Sequence, residues 1–395
     1  MKPILRDYQK AAIEKILWGL TLEGTSIAVL PTGAGKSIVL AELAAQLNQD
    51  ILILQPSKEI LEQNYSKLCQ YVDPDEIGIY SASMKQKVIK RYTFATIGSV
   101  YKKADDFKHF KIVLIDECHL VNPKNLSGMF TKFLKEMGSP KVLGVTATPY
   151  RMGMAYTYDK GLLTAHCSIK LINRVKPMFW NRIVFNINNH ELVDQKYLVP
   201  LKYLDLTLIK QEDIPINKSE SDFDLIKYEK KISGRTKDII NTIRYAESVS
   251  NSTLVFCSSV SQAVSLKDLI KGSSVVTALT PAKERENIIK GFKSGEIKTV
   301  FNVGVLTTGF DHPALDCIVL LRPTRSIALY YQMIGRGVRI SPGKEFCRVI
   351  DMTNTVEKLG RIETIKLEKI DNKWELISET GSWHAQPLYS FTITK

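Results

Sequence analysis

Lys36 closes a run of mostly small residues, Pro31-Thr32-Gly33-Ala34-Gly35-Lys36-Ser37. Two glycines and an alanine keep side chains off a turn, so backbone N–H groups can converge on an anion, and a helix starting there adds its partial positive charge. The Lys36 ammonium is placed to reach outer phosphates and the Ser37 hydroxyl to ligate a magnesium ion. This is a nucleotide-binding P-loop with Thr32, Gly33, Ala34 and Gly35 as its cradle, although the strict pattern would put Gly where Leu30 stands.

Other residues have types and spacings suited to the same chemistry. Asp116-Glu117-Cys118-His119 sets two acids side by side. Asp116 suits a magnesium ion, usually through water, and Glu117 suits orienting and deprotonating a water that attacks a γ-phosphate. His119 is given a coupling role, and Thr146 and Thr148 are short hydroxyls suited to a relay between nucleotide and a neighbouring surface. Gln9 can donate and accept at once, which matches adenine's Hoogsteen edge, with Arg6 or Tyr8 against the ring. Pro56-Ser57-Lys58 and Thr96-Ile97-Gly98-Ser99 read as two turns into helices, each able to seat a backbone phosphate. The loop Gly304 to Asp311 offers small and hydroxyl residues to a nucleic-acid backbone and Asp311 to a ribose or to nearby arginines. Arg336 and Arg339, three apart, are expected on one helical turn, both pointing at a single external anion.

These residues need strands and helices to carry them. Ile27 to Leu30 reads as a strand before the P-loop, and Ile38 to Ala45 has the spacing of a half-buried helix. Ile51 to Leu54, Tyr92 to Ala95, Ile112 to Ile115 and Val142 to Val145 are further strands, and four apolar β-formers in a row imply burial on both faces of a parallel sheet. Acids at the carboxyl end of such a strand lie where open α/β sheets bind ligands. From Thr253 the alternation resumes with strands at 254–257, 275–278, 300–303, 318–321 and 349–350, which demands crossovers and a second parallel sheet. The expected division is 1–199, then 200–360 with a charged, solvated excursion at 211–235, then a tail at 361–395.

At 395 residues the chain exceeds the size at which a single core usually stays single, and 44% apolar content supports ordered domains. A formal charge of +13 favours a polyanionic partner. Six cysteines without a C-x-x-C pair signal neither a zinc ribbon nor a disulfide framework. No apolar run approaches a membrane span and no signal-peptide core follows Met1, so a soluble intracellular protein is expected.

Taken in order, Tyr8-Gln9, PTGAGKS, LQPS, TIGS, DECH, TATP, LVFCSS, Thr307-Thr308-Gly309-Phe310-Asp311 and QMIGRGVR resemble the superfamily 2 helicases, from residue 4 to about 352. The wording LRDYQ, TATPYRMG, NVGVLTTGFD and YYQMIGRGVR, then Pro342-Gly343-Lys344, is similar to the bacterial RadD-type DNA repair proteins and their phage relatives, here without their cysteine-rich zinc module. The resemblance implies an α/β protein of two tandem RecA-like domains, each a mainly parallel sheet flanked by helices, closing on ATP and Mg2+ in the cleft between them. It implies Gln9 and Arg6 at adenine, Gly309 and Asp311 at the nucleotide, Gln332 in coupling, and Arg336 and Arg339 as fingers supplied across the cleft. Pro56, Ser57, Thr96, Gly98, Ser99, Ser258, Thr307 and Thr308 would line the phosphates of a bound strand. The implied partner is single-stranded or branched DNA, with a single-stranded-DNA-binding protein as a further partner; a monomer is expected, with neither membrane nor zinc, in a bacterial cytoplasm or a phage-infected host. A DNA-dependent ATPase of repair, recombination or replication is the leading expectation. An RNA helicase, the motor subunit of a restriction or defence complex, and a nucleic-acid scaffold that has lost its chemistry stand beside it.

Overall fold

The computed structural model describes residues 2–122, 128–159, 162–218, 221–306, 309–378, 381–382 and 389–393. The chain forms two compact units, Met1–Asn188 with Leu367–Glu375 and Trp383–Lys395, and Asn189–Lys366 with Leu376–Ser382.

The first unit is built on strands β1 (Ser26–Val29), β2 (Ile51–Gln55), β3 (Ile77–Ser81), β4 (Gln86–Lys87), β5 (Tyr92–Thr96), β6 (Ile112–Asp116), β7 (Lys141–Thr146) and, after a hairpin, β10 (Arg182–Asn186). Their order across the sheet is β10-β1-β7-β6-β2-β5-β3-β4, parallel except for the short edge strand β4. The hairpin pairs β8 (Tyr150–Asp159) with β9 (Leu162–Leu171), antiparallel. Helix α1 (Asp7–Thr21) precedes β1, and helices α2 (Lys36–Leu47), α3 (Lys58–Leu68), α4 (Ile97–Val100) and α5 (Met129–Glu136) lie in the crossovers. The unbroken apolar runs follow from this topology: β1, β2 and β6 are buried along their whole length because parallel strands between helices have no wet face. Register aligns the carboxyl ends. Val29 pairs with Thr146, Asp116 with Val145, Leu54 with Ile115 and Gln55 with Thr96.

The second unit holds a six-stranded parallel sheet of β11 (Leu201–Asp205), β12 (Thr253–Cys257), β13 (Ser274–Val276), β14 (Thr299–Asn302), β15 (Cys317–Leu321) and β16 (Cys347–Asp351), ordered β11-β16-β15-β12-β14-β13. Its helices are α6 (Asn189–Asp194), α7 (Leu225–Ile232), α8 (Thr236–Val249), α9 (Val260–Leu269), α10 (Ala282–Ser294), α11 (Ile327–Ile334) and α12 (Thr355–Leu359).

Three expectations about organisation change. The join falls at 188/189 and not at 199/200, because the buried Asn189 amide bonds the Tyr331 hydroxyl and Val199 N–H donates to the Val338 carbonyl at 2.8 Å. The stretch at 211–235 is not a solvated excursion: Ile214, Phe223, Tyr228 and Ile232 are core residues, the last two one turn apart on α7. The start of the expected tail packs into the fold, since Ile362, Ile365 and Leu367 are buried. Among the described residues no helix is long and apolar enough to cross a membrane.

Candidate nucleotide site and nucleic-acid edge

The P-loop geometry follows from its glycines. Gly33 and Gly35 take φ of +85° and +79°, left-handed values that cost a side-chain-bearing residue about 1–2 kcal/mol, and Gly35 caps α2, which begins at Lys36. The turn is closed by Ala34 N–H on the Pro31 carbonyl at 3.1 Å and tied to β7 by Leu30 N–H on the Thr146 carbonyl at 3.0 Å. Outside support comes from α1. The Tyr8 hydroxyl and the Gln9 amide both donate to the Ala34 carbonyl, at 2.7 and 3.1 Å.

Gln9 is therefore placed differently from the expectation. It is 2% exposed, and its Oε1 accepts from Arg6 N–H at 3.0 Å while its Nε2 holds the loop, so no polar edge is left open toward a base. A Cβ on Gly35 would stand 2.6 Å from that Nε2, which explains why this position has no side chain. Arg6 is half-buried, and its Nη1 donates to the Tyr8 hydroxyl at 3.3 Å.

Asp116 ends β6 and is 6% exposed. Its Oδ1 accepts from Glu117 N–H at 2.9 Å and its Oδ2 from Asn64 Nδ2 at 2.8 Å. Burial pushes this carboxyl above the usual range, with the neighbouring Glu117 charge adding and Lys36 opposing. Glu117 adopts φ +47° and ψ +49°, a left-handed conformation that a glutamate occupies only under constraint. That conformation puts its carboxylate between two groups: Oε1 lies 3.8 Å from Lys36 Nζ and Oε2 lies 3.4 Å from His119 Nδ1. The same His119 nitrogen meets Thr146 Oγ1 at 2.9 Å and Thr148 Oγ1 at 3.2 Å. Burial lowers the imidazole pKa, so the ring is neutral near pH 7. Lys36, Glu117, His119, Thr146 and Thr148 thus form one connected cluster.

Asn64 and Arg151 belong to this cluster and were assigned no part from sequence. Asn64 bridges Asp116 and the Gln55 Oε1, and Arg151 Nε donates to the His119 carbonyl at 2.6 Å. Asn64 carried a readable signal: it is a polar residue on a helix face otherwise made of Ile60, Leu61 and Leu68.

Ser57 caps α3, its Oγ accepting from Ile60 N–H at 3.4 Å, directly after Pro56 at the end of β2. At the end of the adjacent strand β5, Thr96 Oγ1 lies 2.8 Å from Ser99 Oγ on α4, and Gly98 between them is exposed. These two turns and Asp116 occupy the same carboxyl edge of one sheet.

In the second unit the arginines are not one turn of helix. Helix α11 stops at Ile334, and the chain turns at Gly335 and Gly337. Gly337 is pressed against Cys347 so closely that a methyl group would overlap the sulfur. Arg336 is 8% exposed and its Nη1 donates to the Phe310 carbonyl at 2.9 Å; Arg339 pairs with Asp311. Of the two roles open to Asp311, the structure shows the partner of an arginine. Gly309 takes φ +69° and Gln332 is half-buried on α11. Ser258 is buried, its hydroxyl within 2.6 Å of Glu229 Oε1 and 3.0 Å of Gln262 Oε1, so it faces protein acceptors and not an anion. Thr307 and Thr308 lie outside the described residues.

A P-loop sheet with acids at its carboxyl edge, followed by a second parallel α/β unit with clustered arginines, defines the two-lobed RecA-like class of nucleotide-binding proteins. Within it residues 2–151 match the type III restriction enzyme res subunit family and residues 235–341 the helicase conserved C-terminal domain. The chain is 30% identical to IRC3 of Saccharomyces cerevisiae, a helicase by name, over 88% of this chain and 51% of that protein. It is 25% identical to the DNA 3'-5' translocase XPB2 of Sulfurisphaera tokodaii over 85% of this chain and 78% of that one. In structure it resembles the ATP-dependent type ISP restriction-modification enzyme LlaBIII bound to DNA, with TM-score 0.64, 16% identity, and coverage of 89% of this chain and 28% of that one. The chain spans about half the length of the first curated relatives it matches.

Proposed function

We propose that this chain is an ATP-dependent motor that moves along or remodels DNA, taking single-stranded or branched DNA as its partner and acting as a monomer. The observation that carries the reading is the shared carboxyl edge, where the Lys36, Glu117 and His119 cluster stands on the same sheet as the two phosphate-sized turns at Ser57 and Thr96. Lys36 neutralises the outer phosphates of ATP. Glu117, held in its left-handed conformation, orients the attacking water and takes its proton. His119 passes the state of that carboxylate to Thr148 and to Thr146, which ends the strand that also ties down the P-loop.

Ser37 and Asp116 would hold Mg2+, and Asp116 fits the task. Its carboxylate is buried and oriented by two N–H donors, and the burial that raises its pKa is what a divalent cation relieves. When bound, the ion supplies charge neutralisation at the β- and γ-phosphates. The proposed role of Arg336 and Arg339 is to take phosphate oxygens of ATP in exchange for the Phe310 carbonyl and Asp311, a contribution worth roughly 10³ to 10⁵ in turnover where such arginines are known.

The charge of +13 and the translocase named among the relatives support DNA as the track. The RadD-like wording of YYQMIGRGVR and Pro342-Gly343-Lys344 supports a place in DNA repair. The match of residues 2–151 to the res subunit family supports a second reading, the motor of a restriction complex whose nuclease is a separate subunit. The test is steady-state ATP hydrolysis alone, with single-stranded DNA, and with RNA of the same sequence. Stimulation by DNA that declines steeply with salt is expected; stimulation by RNA alone would move the chain to the RNA class, and no hydrolysis under any condition would refute the motor.

A further inference from the structure

Lys344 lies five residues beyond Arg339 and is half-buried. Its ammonium donates to three backbone carbonyls: Gly337 at 2.7 Å, Arg339 at 2.9 Å and Pro313 at 3.0 Å. An ammonium has three N–H donors, and here all of them are spent on the main chain. Two of the acceptors belong to the turn that carries Arg336 and Arg339. The third belongs to the loop that carries Asp311, the ion-pair partner of Arg339.

Backbone bonds hold parts of that turn, Gly337 N–H on the Ile334 carbonyl at 2.9 Å and Val199 N–H on the Val338 carbonyl at 2.8 Å, but neither ties it to the Asp311 loop. The turn begins where α11 ends and contains two glycines in its first three residues. Converging carbonyls repel one another, and a cation set between these three offsets that repulsion. We propose that Lys344 is a positioning residue for Arg336 and Arg339, clamping the arginine-bearing turn to the Asp311 loop so that the guanidinium groups are held in one orientation. The inference rests on the reading above, in which these arginines act on the phosphates of ATP.

The clamp is also sensitive to alkali. Burial lowers the Lys344 pKa to about 8; Cys347 on β16 and Asp316 before β15 oppose the shift, and Arg339 adds to it. The buried His312 also lies within reach of the Lys344 charge. Above that pH the neutral amine keeps two N–H donors and cannot serve three carbonyls.

The experiment uses the full chain with saturating single-stranded DNA, and compares wild type, Lys344→Met, Lys344→Arg, Arg339→Ala and the Lys344→Met/Arg339→Ala double variant. Lys344→Met is expected to lower kcat by about tenfold to hundredfold, the range of ångström-scale misplacement, with KM for ATP nearly unchanged. In the Arg339→Ala background the same substitution should add little, because both act through one group. Wild-type kcat should decline as pH rises through about 8, whereas Lys344→Arg, always charged, should hold its pH 7 value into that range. Wild-type kcat in Lys344→Met, or a full independent loss in the double variant, overturns the inference, as does an alkaline decline of equal size in Lys344→Arg. If Arg339→Ala itself turns over like wild type, the reading of the arginines fails instead.

Discussion

The Lys36 ammonium lies 3.8 Å from Oε1 of Glu117, so the cation of the P-loop and the carboxylate just after β6, two strands from β1, face each other. Each group holds the other in place, and replacing them has different consequences. Glu117→Gln keeps the size and the hydrogen-bonding capacity of the side chain while removing the proton acceptor. It should lose about 10² to 10⁴ in turnover, the usual worth of a general base, and still bind nucleotide. Lys36→Ala should lose turnover and nucleotide affinity together. Equilibrium binding of a fluorescent ATP analogue beside steady-state hydrolysis separates the two, and retained turnover in Glu117→Gln would assign the base elsewhere.

Gln9 braces the P-loop from outside, and its substitution tests bracing against base recognition. Gln9→Ala removes two hydrogen bonds at a buried position, to the Ala34 carbonyl and from Arg6 N–H. Ala34 keeps its bond from Tyr8, so the loss is about 1–2 kcal/mol, near the value of a single buried bond. Urea unfolding should register it, and KM should rise alike for ATP and GTP. A selective loss of ATP preference would mean that Gln9 leaves Ala34 and reads adenine after all.

How far each of these features could be read from sequence depends on the range of the interaction behind it. Ile112 to Ile115 announces a buried parallel strand through its own composition, and Gly33 with Gly35 announces a positive-φ turn, because both are consequences of local chain chemistry. The same locality misleads at Arg336 and Arg339: spacing alone suggests one helical turn, but Gly337 packs against Cys347 from another strand and the helix has already ended. Phe223 and Tyr228 sit among charged residues that hid them, although their burial is decided by tertiary neighbours. The contacts of Arg151 and Lys344 were hidden for a related reason. Each residue acts by reaching a backbone or side-chain atom distant in sequence, and one-dimensional spacing carries no record of such meetings.

His312 gives the fold an acid-sensitive joint. Its Nε2 lies 2.8 Å from Ser252 Oγ, its ring stands 4.9 Å from that of Phe292, and burial with the nearby Lys293 and Lys344 charges lowers its pKa to about 4. An unfolded histidine takes its proton near 6.5, so below that pH the unfolded chain binds more protons than the folded one and stability falls with pH. The loss should accumulate between about 6.5 and about 4 and stop once the folded ring is also protonated. His312→Gln cannot titrate, and its urea midpoint should change less than that of wild type between pH 7 and pH 5. Equal changes in the two proteins would assign the acid sensitivity to other groups.

Gly98 allows the proposed nucleic-acid edge to be tested without disturbing the fold. It is exposed between Thr96 and Ser99, its φ is not in the left-handed region, and a Cβ there would meet nothing within 4 Å. A side chain at this position therefore costs little, and Gly98→Ala should match wild type in both thermal midpoint and DNA affinity. Gly98→Glu should keep the midpoint but set a carboxylate against the phosphates expected beside Thr96 and Ser99. About 1.4 kcal/mol of repulsion would weaken binding about tenfold. Because the charge would be exposed, salt should screen it: the deficit relative to Gly98→Ala should shrink as ionic strength passes about 0.15 M, where the Debye length is about 8 Å. Fluorescence anisotropy with a labelled single strand at several salt concentrations measures both effects. If Gly98→Glu binds like Gly98→Ala at low salt, the strand does not pass this turn, and the track must run along another part of the edge.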